Sequence, residues 1–339
     1  MTGGSLRAGL PSTRAARSLR AGRIAVAVGL TAYILWSADP AQVLAATARA
    51  EWRWIAAAIA LVLIDRALMA CRWLALLSAL SSGTRPPLPA VLRIFFVSTF
   101  VGSFLPSIAG DVYRAYSLSR LQVSGVEAAA SVVMDRALGV LSMLIVAIGA
   151  LAFAREMLTL PGVLPTVLIA GLGCVVAAAG IYSQRVASLA LGAAAMLPGR
   201  QAKRLGSGMV DAVRRYATHH FELTLVLAAS VAVQAIRVLQ AYCLGMAIGI
   251  TAPLWTYFVF VPLIVIVMQV PITISGLGTS QLMFELFFGR VGVAAPQAVA
   301  LSILFVALGI VGNLPGGLLY LFTSRTAAPE PESALRPRG

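Results

Sequence analysis

Three short stretches of the chain place ionisable and polar side chains where chemistry could occur. The first is "FLPSIAGDVYRAYSLSR", residues 104–120, in which Pro106, Gly110, Asp111 and Arg114 follow one another closely. Pro106 removes a backbone donor and interrupts an apolar run. Gly110 allows backbone conformations closed to other residues. A helix starting near Asp111 would offer free N–H groups and a positive dipole end to an anion. Asp111 is then a helix cap, a partner for Arg114 one turn on, or part of a binding site. Arg114 can equally grip a phosphate in bidentate fashion.

The second stretch is "SVVMDRALGV", with Asp135, Arg136 and Gly139. Ionisable residues inside an apolar helix cost at least a few kcal/mol each unless paired or facing water. Asp135 can neutralise Arg136 or Arg114, and Gly139 would let a neighbouring helix come close. A charge pair that merely joins two helices is the competing reading. The third stretch, "IVIVMQVPITISGLGTSQLMFELFFG", carries Gln269, Pro271, Gly276, Gly278, Gln281 and Glu285. Gln281 and Glu285 are four apart and share a helix face. Elsewhere, Asp65 and Arg72 share a face of one apolar segment, with Arg66 beside them. Arg72, next to Trp73 near a helix end, is expected to snorkel. Gln234, Arg237 and Gln240 recur every three residues and form a polar stripe on another segment.

The elements that must carry these groups are membrane helices. Of 339 residues, 60% are hydrophobic and only 11% charged, against about a quarter charged in a soluble protein. Mean hydropathy is +0.91. Apolar runs reach roughly 20 residues, the length of a spanning helix. The fold class is therefore an all-α polytopic membrane protein, and no stretch is long and polar enough for a soluble enzyme domain. The net charge of +14 reflects arginines in the short polar segments between apolar runs. That is a topology signal and a contact with anionic lipid, not a nucleic-acid surface. The three cysteines and two histidines show no metal spacing, and no nucleotide-binding motif or nucleophile–base arrangement is evident. No cofactor and no enzymatic activity are expected.

Full crossings are expected at about 23–38, 54–80, 126–154, 161–183, 222–249 and 297–322. Segments 91–120 and 254–290 are irregular. If each crossed fully, giving eight crossings, the connector at 184–220 with its six basic residues would lie outside the cell. If each enters and returns on one side, the connector joins both termini in the cytoplasm, which obeys the positive-inside rule. The preferred architecture is six crossings plus two re-entrant hairpins, the first opening to the cytoplasm and the second to the outside. Residues 1–22 form a basic cytoplasmic N-terminus, 23–322 one transmembrane domain and 323–339 a disordered cytoplasmic tail. Broken helices at corresponding places in two halves also suggest an inverted repeat with a substrate site between them.

Taken in order, the three stretches resemble the membrane region of lysylphosphatidylglycerol synthases, which also occurs as a stand-alone family of flippase-like proteins. The resemblance spans roughly 20–322. It implies that Pro106, Gly110, Asp111 and Arg114 match the family's first motif, that Asp135, Arg136 and Gly139 match the second, and that Pro271, Gly276 and Gly278 match the third. Two positions depart. Ala109-Gly110 stands where the family often has Gly-Gly, and Gln281 where a glutamate is common, with Glu285 a turn later as a substitute. No soluble aminoacyl-transferring domain is expected, so the resemblance implies lipid translocation, not lipid synthesis. The expected protein sits in a bacterial inner membrane and moves a lipid with an anionic or phosphate-containing headgroup between leaflets. Asp111, Arg114, Asp135, Arg136, Gln234, Arg237, Gln281 and Glu285 would line its path. The alternatives are a membrane-embedded transferase acting on a lipid phosphate and a scaffold for a lipid-modifying enzyme partner.

Overall fold

The computed structural model describes residues 41, 45, 47–80, 87–104, 107–121, 123–196, 200–269 and 278–324. The expected first crossing, both chain ends, and Pro106, Pro271 and Gly276 lie outside the described residues. Within them the chain is almost wholly helical, with no strand among the described residues. Hydrocarbon offers no partner to a backbone N–H or C=O, so long apolar runs satisfy those groups within their own helices.

Eleven α-helices are described, numbered here in chain order: α1 (Trp52–Leu80), α2 (Leu88–Phe104), α3 (Ser107–Ser119), α4 (Gly125–Phe153), α5 (Val163–Tyr182), α6 (Gln184–Ala195), α7 (Arg200–Arg215), α8 (His220–Ala247), α9 (Leu254–Met268), α10 (Thr279–Gly289) and α11 (Ala295–Ser324). Four of them, α1, α4, α8 and α11, are long and apolar enough to cross a membrane. The fourth expected crossing, 161–183, is α5, which turns by 86° into α6. The connector is itself helical. Its α7 packs against α4, and the Tyr216 hydroxyl beyond α7 donates to the Leu76 carbonyl at 3.0 Å. Burial pushes that phenol above the ordinary tyrosine range, so it stays a donor.

Both irregular segments double back. Gly110 on α3 lies so close to α2 that an added Cβ would sit 2.7 Å from the Ser98 carbonyl oxygen and 3.2 Å from the Gly102 Cα. One turn further along α3, the Arg114 Nε donates to the Ser98 hydroxyl. The pairings 102 with 110 and 98 with 114 are those of an antiparallel helical hairpin. In the second segment, Tyr257 meets Phe288 and Phe260 meets Phe287 edge to edge or tilted, the same antiparallel pattern. At 1.5 Å per residue the arms of 17, 13, 15 and 11 residues reach about 25, 20, 22 and 16 Å. A hydrocarbon core is about 30 Å thick, so each arm is too short to span it.

The two hairpins enter from opposite ends of the bundle. At one end, Leu118 and Val123 close the first hairpin against Trp73 and Leu77 of α1, and α4 begins there. At the other, the Glu51 N–H donates to the Ala247 carbonyl, and Tyr257 and Phe288 pack with Met157, Val163 and Ile250. The order long helix, hairpin, long helix occurs twice. Contacts follow the same rule: α1 packs on α8, α2 on α11 as α9 does on α4, and α3 on α4 as α10 does on α11. This is an inverted repeat in both element order and packing.

Small residues close its seams. A Cβ on Gly316 of α11 would run into the Phe96 carbonyl of α2, and one on Gly317 would come within 2.6 Å of the Phe100 ring. Gly139, by contrast, has nothing within 4 Å of where its Cβ would stand. The expectation that Gly139 brings helices together is therefore corrected: that role belongs to Gly316 and Gly317. Gly316→Ala is expected to lower the thermal midpoint in detergent by an amount matching about 1–3 kcal/mol of overpacking. Gly139→Ala, with open space around it, is expected to leave the midpoint within error.

Candidate functional site

A polar cavity of about 290 Å³ lies among the helices of the bundle. Seven described helices line it, together with Gln269, the residue after α9. Arg66, Met69 and Arg72 come from α1, Ser98, Thr99 and Gly102 from α2, and Gly110, Asp111 and Arg114 from α3. Asp135, Arg136, Gly139 and Met143 come from α4, Gln234 and Arg237 from α8, and Val265 and Gln269 from α9 and its end. Asn313 comes from α11. Within a helix these groups are adjacent or three to four residues apart, so one face of each meets the chamber.

The charges form three groups. Asp135, 6% exposed, accepts from the Arg72 Nη2 at 2.6 Å and from the Arg114 Nη1 at 3.4 Å. Arg72 also donates to the Ser230 hydroxyl at 3.1 Å. The Arg114 guanidinium lies between two rings, its Cζ 4.9 Å from the Trp73 centroid and 5.0 Å from that of Phe95. In the second group, Asp65 is 1% exposed and stands just behind the lining. Its Oδ2 accepts from Arg66 at 2.7 Å and its Oδ1 from Arg237 at 3.2 Å. In the third group, Arg136 meets the Asp111 Oδ2 through Nη2 at 2.9 Å and Nε at 3.0 Å.

That third pair marks the mouth. Its side chains are 44% and 22% exposed, against at most 18% for every other charged group of the chamber. Val112 and Tyr116 on α3 and Val133 on α4 are exposed apolar side chains.

Several sequence-based expectations change. Helix α3 begins at Ser107, so Asp111 lies in its second turn and neither caps it nor stands at its free N–H groups. The reason is the close approach at Gly110, which lets the helix run straight through the glycine. Asp111 and Arg114 do not hold each other: Asp111 takes Arg136, and Arg114 takes Asp135. Arg72 does not snorkel; it is 5% exposed and is the shorter of the two partners of Asp135. Gln281 and Glu285 are not among the residues lining the chamber. Gln281 is 1% exposed, and its Oε1 accepts from the Gly278 N–H and the Ser280 hydroxyl. It closes the start of α10, where Gly278 has φ +82°. Gln234 and Arg237 do face the chamber, and Gln234 donates to the Ser142 hydroxyl at 3.4 Å. Gln240 of the same stripe is buried elsewhere.

Among the described charges, five arginines face or flank the chamber against three aspartates, which leaves two positive charges in the interior of an apolar bundle. Each such charge is costly unless an anion meets it.

Residues 21–316 match the family described as the lysylphosphatidylglycerol synthase TM region. No curated protein matches the chain.

Proposed function

The chain belongs to the family of the lysylphosphatidylglycerol synthase transmembrane region, and on that premise we propose that this multi-pass membrane protein moves a lipid between leaflets, its anionic, phosphate-containing head passing through the central chamber. The observation that carries the reading is the surplus of two arginine charges enclosed between opposed hairpins. A lipid head crossing hydrocarbon alone sheds its hydration with nothing in return. A preformed positive chamber supplies guanidinium donors in place of water.

Size and shape support the same reading. At about 290 Å³, the chamber is at the small end of ligand sites, which run to roughly 1,000 Å³. It suits a head and excludes acyl chains. The side bearing Asp111 and Arg136, the most exposed charges of the chamber, in this proposal opens toward lipid and lets those chains remain in the bilayer. In this proposal the end bearing α7, with Arg200, Lys203, Arg204, Arg214 and Arg215, faces the cytoplasm of a bacterial inner membrane, and the first hairpin opens there.

The test is leaflet exchange in reconstituted vesicles, using lipids labelled on an acyl chain so that the native head fits the chamber. Protein-dependent exchange of an anionic phospholipid is expected. Exchange no faster than in protein-free vesicles, together with a new lipid product when a sugar or acyl donor is supplied, would replace this reading with a transferase.

A further inference from the structure

The two buried charge groups of the chamber differ in how fully their arginines are engaged. Arg114 is held by two rings, a hydroxyl and a carboxylate; Arg72 has a short carboxylate bond and a hydroxyl. Across the chamber, Asp65 spends one oxygen on Arg66 and the other on Arg237. Both guanidiniums then converge on the Met69 Sδ, at 3.4 Å from the Arg66 Nη1 and 2.9 Å from the Arg237 Nη2, while the Arg66 Nη2 also donates to the Gly309 carbonyl at 3.4 Å. A thioether is a weak acceptor. Two guanidiniums sharing one inside a membrane leave much of their donor capacity unmet. The Arg66 Nε, like the Arg72 Nε, is buried without a hydrogen-bond partner among the described residues; what sets the Asp65 group apart is the convergence on a thioether.

The arrangement is built, not incidental. Asp65 and Met69 are one helical turn apart on α1, so the carboxylate that fixes the arginines and the atom on which they converge share a face. Gly312 of α11 leaves room for Arg66: a Cβ there would sit 3.3 Å from the Arg66 Nε and 2.6 Å from the Val62 side chain. Two guanidiniums converging on one point is the geometry that a phosphate's oxygens accept. Methionine is unbranched and adaptable enough to yield that point.

We infer that Arg66 and Arg237, bridged by Asp65, form the phosphate-binding subsite of the chamber, with a phosphate mono- or diester oxygen taking the position of the Met69 sulfur. The inference rests on the chamber being a headgroup site and specifies it: Arg66 and Arg237 grip the phosphate, while Arg72 and Arg114 hold the helices. Lipid heads and soluble phosphates share this chemistry.

The test uses the full-length protein in detergent, titrated calorimetrically with inorganic phosphate and with a short-chain phosphatidylglycerol, as wild type, Met69→Leu and Met69→Glu. Met69→Glu places an internal carboxylate between the two arginines. It is expected to raise the thermal midpoint and to weaken binding at least about tenfold, a loss of roughly 1.4 kcal/mol. Met69→Leu, which removes the sulfur without adding a charge, is expected to weaken binding less than Met69→Glu does. A lowered midpoint in Met69→Glu, binding unchanged by it, or no binding of either probe by wild type would overturn the subsite. Binding of the lipid, alone or with phosphate, supports a headgroup ligand. Binding of inorganic phosphate alone supports the subsite and assigns it to a soluble ligand. Vesicle exchange that persists in Met69→Glu removes the subsite and spares the translocation reading; phosphate binding without vesicle exchange does the reverse.

Discussion

Asp135→Asn is expected to destabilise the protein more than any other single change in the chamber. The substitution keeps the shape of the side chain and removes its charge. Arg72 and Arg114, whose side chains are 4% and 6% exposed, would then face each other without a counter-charge. Breaking a buried pair from one side costs about 3–5 kcal/mol, because the remaining charge has no water to return to. Here two arginines are left behind by one change. The expected result is a large fall in the thermal midpoint in detergent, with reduced yield of folded protein. Arg72→Met introduced with Asp135→Asn removes one of the stranded charges and is expected to restore part of the loss. A stable Asp135→Asn protein, or a double variant less stable than the single one, would mean that Asp135 does not organise these helices.

Arg237→Gln is expected to give the largest loss of transport with little loss of stability. Arg237 is partly buried, and Asp65 keeps Arg66 when it is removed, so no acid is stranded. The chamber falls from two surplus positive charges to one. A hydrogen bond to a charged group is worth about 1.5–3 kcal/mol, which corresponds to roughly 10- to 150-fold in the rate of head entry. Leaflet exchange of an anionic lipid is expected to fall within that range while the thermal midpoint changes little. Equal losses of exchange and stability would assign Arg237 to scaffolding instead.

The sequence carried much of this architecture because a bilayer permits so few solutions. A proline and a glycine in an apolar run, and basic residues that must sit on one side, were enough to indicate two re-entrant hairpins at 91–120 and 254–290. The structure has antiparallel hairpins there, entering from opposite ends. Asp135, Arg136, Gln234 and Arg237 were legible as chamber residues because ionisable or amide groups in an apolar helix need a reason.

What the sequence did not reveal is who pairs with whom. Asp111 and Arg114 are near neighbours on α3, offset by about 60° around the helix. Both reach α4, yet Arg114 takes Asp135 between Trp73 and Phe95 while Asp111 takes Arg136. Arg72 finds Asp135 sixty-three residues away, a pairing that no local spacing contains. Asp65, Met69 and Arg72 did carry a usable signal, since their four- and three-residue spacings place them on one face of α1. Gln281 carried another: a glutamine three residues after a glycine N-cap is the reciprocal capping pattern, which explains why it closes α10 instead of lining the chamber.

The central claim, that a surplus of positive charge between opposed hairpins passes a phosphate-bearing head, is tested most directly by the charge dependence of exchange. Vesicles containing the wild-type protein would be loaded with two chain-labelled lipids of equal tail length. One has a phosphodiester head of net negative charge, the other a quaternary-ammonium head without phosphate. The protein is expected to accelerate exchange of the anionic lipid and to leave the cationic one at the protein-free rate. Equal acceleration of both lipids would mean that the protein perturbs the bilayer without reading the headgroup, and would overturn the translocation reading.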